Sequence, residues 1–156
     1  MKRIRMRHLL SLAVLGAQQV QAQGVARAVD VEVRALRAVG AAASGLLCVG
    51  TRNAIRAELV IRGQAPITPV PLRLVLMLPG GDPSGVLVAE GSVSVPAGVT
   101  TVTFTFLNVE VPSRLRGRGG MLEVRANLER AVLENDLANN FRSLPLDTST
   151  DWNCRR

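Results

Sequence analysis

Segment after segment of this chain places an apolar residue at every second position, and that pattern limits the fold more than any other feature. Val29, Val31 and Val33 alternate with Asp30, Glu32 and Arg34. Ile55, Ala57, Leu59 and Ile61 alternate with Arg56, Glu58 and Arg62, with Val60 the one exception. Leu72, Leu74, Leu76 and Leu78 form one face after Pro71, and Val93 and Val95 alternate with Ser92 and Ser94. Val102, Phe104 and Phe106 alternate with Thr101, Thr103 and Thr105. Leu122, Val124, Ala126 and Leu128 alternate with Glu123, Arg125, Asn127 and Glu129. A period of two puts successive side chains on opposite faces of a strand, one toward a core and one toward water. A helix would need apolar residues three and four apart, which these segments lack.

Turn-forming residues separate the runs: Arg62-Gly63-Gln64-Ala65-Pro66, Pro79-Gly80-Gly81-Asp82-Pro83-Ser84-Gly85, Pro96-Ala97-Gly98 and Arg116-Gly117-Arg118-Gly119-Gly120. About seven short strands broken in this way predict an all-β chain, an antiparallel immunoglobulin-like β-sandwich, with a closed barrel as the alternative. The stretch Ala41-Ala42-Ala43-Ser44 reads as a loop or a helical turn. Aromatic residues are limited to Phe104, Phe106, Phe141 and Trp152. The core is therefore expected to be aliphatic, using Leu59, Ile61, Leu74, Leu76, Phe104, Phe106, Leu122 and Val124. The same scarcity leaves Trp152 as the free candidate for stacking on a sugar or a base.

The first residues follow a different rule. Lys2, Arg3, Arg5 and Arg7 form a basic start, Leu9 to Gly16 is an apolar run, and Val20 and Ala22 stand three and one residues before a plausible cleavage point. This arrangement predicts a signal peptide over 1–22, cut to leave Gln23 first, and one β-sandwich domain over 23–156. The apolar run falls short of the roughly 20 residues of a membrane anchor, so no transmembrane anchor is expected. The domain is then secreted or periplasmic. Removing the basic start lowers the formal net charge from +7 to +3. That is weak attraction for a polyanion, so nucleic acid is not an expected partner.

Export gives the cysteines meaning. Cys48 and Cys154 are the only two. In an oxidising compartment one internal bridge is the simple reading, with two buried thiols or an intermolecular bridge as alternatives. His8 is the only histidine, and it lies in the predicted signal peptide. A Cys-His or Ser-His pair is thereby excluded from the mature domain. Asp147 and Asp151 flank Thr148-Ser149-Thr150 in a polar tail without a pocket-forming pattern, and the Gly80–Gly85 loop lacks the Lys of a phosphate-binding loop. Arg114, Arg116 and Arg118 interleave with Gly117, Gly119 and Gly120, which reads as a solvated, flexible hairpin loop. No catalytic residue and no cofactor is expected.

Three segments resemble the bacterial cell-adhesion-related domain family, CARDB. Asp30-Val31-Glu32-Val33 is similar to its opening strand. Val95-Pro96-Ala97-Gly98-Val99-Thr100-Thr101-Val102-Thr103-Phe104 is similar to its Ala-Gly segment before a hydroxyl-rich strand. Leu133-Glu134-Asn135-Asp136-Leu137-Ala138-Asn139-Asn140 is similar to its closing acidic and Asn-Asn turn. The departures are Ile61-Arg62-Gly63-Gln64, the region from Val39 to Thr51, and the Cys154 tail. The resemblance implies an immunoglobulin-like sandwich of secreted proteins, without enzymatic activity, that serves in adhesion or as a scaffold. The expected partner is an extracellular or cell-surface protein or polysaccharide; a small carbohydrate-binding module and a secreted hydrolase are the alternatives. Glu134, Asp136, Asn139 and Asn140 gather oxygens that a calcium ion could use, but residues of these types also shape tight turns, and the turn is the reading adopted.

Overall fold

The computed structural model describes residues 28–39, 46–134, 136–146, 150–151 and 154. The predicted signal peptide, the Ala41–Ser44 stretch, Asp147 and Trp152 lie outside the described residues. The strands are β1 (Asp30–Val39), β2 (Leu47–Cys48), β3 (Arg52–Arg62), β4 (Val70–Met77), β5 (Val86–Val93), β6 (Thr101–Glu110), β7 (Met121–Ala126), β8 (Phe141–Pro145) and β9 (Thr150–Asp151), with a 3-10 turn at Ser113–Leu115. Two sheets form, in the orders β1-β3-β6 and β5-β4-β7-β8, antiparallel throughout. β1 lies across from β8 and β6 across from β5, so the sheets stack as an immunoglobulin-like sandwich instead of closing into a barrel. The short β2 and β9 pair in parallel beside it.

The alternating residues meet between the sheets. Leu59, Ile61, Leu74, Leu76, Phe106, Leu122 and Val124 are all buried. Val31, Val33, Val70, Leu72, Val109, Val111 and Leu146 extend the same core. At about 1.5–3 kcal/mol per fully buried aliphatic side chain, this set is the main favourable contribution to folding.

Bulges change which positions face inward. One extra residue in β1, beside Arg34, shifts its pairing with β3, so burial passes from Val31 and Val33 to Leu36. An extra residue in β6 does the same between Phe106 and Val109, where Asn108 takes φ 59°. Leu107 is left facing water and Val109 is buried. A single inserted residue inverts a period of two, which is how Val109 and Val111 reach the core from odd positions.

Four expectations need correction. Phe104 is only half-buried, because β6 lies at the edge of its sheet and the ring spreads over Gly91 of the facing β5. The strand expected around Val93 and Val95 runs earlier, over Val86–Val93, an edge strand whose pattern is mixed by a bulge near Val88. The alternation does not continue past Ala126: Asn127 takes φ 53° and is buried, while Leu128 is turned outward. The Arg-Gly segment is a crossing from β6 in one sheet to β7 in the other, so it is no hairpin.

Cys48 and Cys154 form a disulfide with Cα atoms 5.4 Å apart, in the usual range for such bridges. Buried Asn53 holds the Cys48 side in place: its Oδ1 accepts from the Cys48 N–H at 2.6 Å, and its Nδ2 donates to the carbonyls of Cys48 (2.8 Å), Thr51 (3.0 Å) and Val109 (3.1 Å). Among the described residues no helix is long and apolar enough to cross a membrane.

Candidate functional site

The loop from β7 to β8 brings Glu134, Asp136, Asn139 and Asn140 to the end of the sandwich where β1 begins, but it does not converge them on a common centre. Glu134 turns inward to a polar node. One of its oxygens accepts from Val31 N–H at 2.8 Å. The other accepts from Asn140 Nδ2 at 2.6 Å and from Asn127 Nδ2. Asn127 in turn pairs with Val132 in the manner of a strand, donating from Nδ2 to its carbonyl at 2.7 Å and accepting its N–H on Oδ1 at 2.8 Å. Asn139 Nδ2 donates to Asp30 Oδ1 at 2.9 Å, and the exposed Asp136 accepts the Ala138 N–H at 2.8 Å within its own turn. The Oδ1 atoms of Asn139 and Asn140 are buried without a hydrogen-bond partner.

Calcium calls for six to eight oxygens directed at one point; here both Glu134 oxygens already accept N–H groups, from Val31 on one side and from Asn127 and Asn140 on the other. Among the described residues no group of three or more His, Cys, Asp or Glu could hold a metal. The cluster is a clasp that ties the loop to β1.

A groove opens on the outer face of the four-stranded sheet. Odd-numbered residues of β7 face outward, which places Glu123 and Arg125 on the floor. Arg125 Nε donates to Glu123 Oε1 at 2.6 Å, Nη1 to the Ser84 carbonyl at 3.0 Å and Nη2 to the Pro83 carbonyl at 3.1 Å. Ser143 Oγ donates to the other Glu123 oxygen at 3.0 Å. Both charges are thereby occupied inside the protein. Above them Met77, Pro83, Leu128, Leu137 and Phe141 line a cavity of about 390 Å³, which falls in the usual size range of small binding pockets. Leu128 and Phe141 are each about half exposed and Leu137 is 37% exposed. These three apolar side chains gather around one cavity, while Ile67 and Leu133 are exposed beside a different one.

The sequence reading missed this groove. Alternation puts Leu128 on the same face as Leu122, Val124 and Ala126, and the positive φ of Asn127, which reverses it, is invisible in a period-two pattern. The available signal was the recurrence of Leu128, Leu133 and Leu137 in a loop otherwise rich in Glu, Asp and Asn. Phe141 is a further exposed aromatic that the sequence reading did not count.

No family model matches the chain, and no curated protein matches it. Solved structures do. The crystal structure of a CARDB domain from Pyrococcus furiosus, in complex with di-metal ions, aligns at TM-score 0.53 and 14% identity, over 80% of this chain and 93% of that one. A solution structure of the same Pyrococcus furiosus domain aligns at TM-score 0.48 and 13% identity, over 80% and 96%. A solution structure of a Methanosarcina acetivorans domain aligns at TM-score 0.49 and 18% identity, over 76% and 90%. At these identities the likeness concerns backbone architecture alone, and on the strength of the crystal structure this chain has the immunoglobulin-like β-sandwich fold of a CARDB domain.

Proposed function

We propose that the protein is an exported, non-catalytic β-sandwich module that binds apolar side chains of an extracellular or cell-surface protein. The carrying observation is the groove of Leu128, Leu137 and Phe141 over the Glu123–Arg125 pair. Its walls are apolar and its floor offers no unmatched charge, so it favours hydrocarbon over an ionic or hydroxyl-rich ligand. Support for a non-catalytic role comes from the chain's chemistry: its only histidine is His8, and both cysteines are committed to the disulfide. Secretion or residence in the periplasm rests on the basic and apolar start of the chain. The Pyrococcus furiosus domain was crystallised in complex with di-metal ions; the function proposed for this chain does not call on a metal.

Site-specific photo-cross-linking in the native host tests the reading. A photo-reactive phenylalanine analogue at Phe141 should capture one defined protein, the product should disappear with Leu137→Ser, and the same probe at exposed Thr103 on the opposite sheet should capture nothing. Absence of a product at position 141, or an identical product at 103, would overturn the proposal. A product containing carbohydrate and no protein would overturn it in favour of a carbohydrate-binding module. Mass spectrometry of the N-terminus tests export: a mature chain beginning at Gln23 is expected, and cytoplasmic protein that retains Met1 would remove that part of the proposal.

A further inference from the structure

One wall of the apolar groove carries a thioether, whose polarity an oxidant can change. Met77 and Met121 are the only methionines after the predicted signal peptide, and the register of β4 and β7 sets them side by side. Their surroundings differ. Met121 is 40% exposed and stands outside the cavity lining. Met77 is partly buried and lines the cavity. Its sulfur lies against Gly85, where a Cβ would stand 2.6 Å away. That glycine takes φ 70°, which lets the chain turn back over the thioether.

Arg125 links this sulfur to the loop before β5. Its Nη2 donates to Met77 Sδ at 3.3 Å and to the Pro83 carbonyl at 3.1 Å, and its Nη1 donates to the Ser84 carbonyl at 3.0 Å. A thioether is a weak acceptor, so the guanidinium is held mainly by the two carbonyls and by Glu123. A sulfoxide oxygen is a far stronger acceptor and takes a charge-assisted bond from a guanidinium. On Met77 it would meet a donor already aimed at the sulfur. The added oxygen therefore competes with the Pro83 carbonyl for Nη2. It also brings a polar group into a wall made of hydrocarbon.

We propose that Met77 is an oxidation site, through which hydroperoxides switch off apolar binding in the groove. The inference rests on the reading of the groove as a site for apolar side chains. In the reaction a sulfur lone pair attacks the terminal peroxide oxygen, and the S–O bond forms as the O–O bond breaks. The proton of the transferred oxygen passes to the leaving oxygen, giving water or an alcohol. Sulfur loses two electrons and the peroxide gains them, and the product is methionine sulfoxide. A cavity of about 390 Å³ has room for so small an oxidant. Met121 is more exposed and has no bond to Arg125, so its oxidation should leave the groove as it is.

Titration of the purified, disulfide-bonded protein with hydrogen peroxide tests this, with peptide mass spectrometry separating sulfoxide at 77 from sulfoxide at 121. The groove is read with N-phenylnaphthylamine, an uncharged apolar dye, and Arg125 by the NMR signal of its Nε–H. Dye affinity should fall at least about fivefold as sulfoxide accumulates at 77. The Arg125 signal should shift in the same proportion. Met77→Leu should bind the dye and become insensitive to peroxide, and Met121→Leu should stay as sensitive as the unaltered protein. Loss of dye that follows sulfoxide at 121, loss that persists in Met77→Leu, or an Arg125 signal unmoved by oxidation of Met77 would overturn the proposal. So would a Met77 that stays reduced after Met121 is fully oxidised. Failure of the unoxidised protein to bind the dye would remove the groove reading and the switch with it, whereas dye binding left unchanged by sulfoxide at 77 overturns the switch alone.

Discussion

The ring of Phe104 covers Gly91 so closely that a Cβ on the glycine would lie 2.9 Å from Cε1 and 3.1 Å from Cε2, with Cζ nearer still. The two residues belong to different sheets, and the ring also meets Phe106 edge-on, with centroids 4.9 Å apart. Gly91→Ala is therefore an overpacking change, expected to cost about 1–3 kcal/mol in chemical denaturation. Phe104→Leu alone should cost about 1–2 kcal/mol, since the ring is half-buried. The double variant should be less destabilised than the two changes summed, because the smaller side chain makes room for the methyl group. Strict additivity would show that the ring does not press on Gly91.

Glu134 offers a second test, since its carboxylate gathers N–H groups from β1, the end of β7 and the start of β8. Glu134→Gln turns an NH₂ toward one set of those donors and should cost about 1–3 kcal/mol. Native-state hydrogen exchange should quicken first at Val31 and Val132, whose N–H groups depend on Glu134 and Asn127. Unchanged exchange at both amides would rule out the clasp.

Removing the bridge with Cys48→Ser and Cys154→Ser opens a loop with a sequence separation of 106. The chain-entropy relation gives about 4–5 kcal/mol for a loop of this length, an upper figure when the unfolded chain keeps structure. Asn53 is expected to hold residue 48 in place, so the amides that lose protection should be those of Thr150 and Asp151. A melting temperature unchanged by reduction would contradict this.

Asp82 accepts the Ser84 N–H at 2.7 Å. That backbone bond, with the Ser84 hydroxyl second, holds its carboxyl below the usual value of 3.8. A depressed folded-state value means that the interaction favours the fold above the unfolded carboxyl's titration and is lost as pH falls through the lower value. Carbon-detected NMR should place the Asp82 midpoint below 3.8, and Ser84→Pro, which removes the N–H, should bring it back up.

Alternation made the two-sheet core legible because burial on one face leaves a direct trace in sequence, and Leu59, Leu74, Leu122 and Val124 stand where it puts them. The pattern failed where one residue was inserted or one φ changed sign. The bulge at Asn108 hid Val109, and Asn127 reversed Leu128. The second of these failures is the one that shapes the apolar groove. The clasp was legible as a cluster of oxygen-bearing residues, but not its purpose: that depended on which N–H groups from β1 and β7 would arrive, and these are distant in sequence. The Arg-Gly loop was misread as a hairpin because glycine marks a turn without saying which sheet the chain enters next.

The position of the disulfide also determines how the molecule would carry mechanical load. Tension applied between residue 28 and residue 154 passes from Cys48 to Cys154 through the sulfur–sulfur bond. The covalent route then contains only the stretch from 28 to 48, and β3 through β9 are bypassed. Within that stretch the resistance falls on β1, which is paired with β3 along its length and fastened to the β7–β8 loop through Val31 and Glu134. Reduction would bring more than a hundred further residues into the extensible path, so the bridge confines covalent extension to the chain before Cys48.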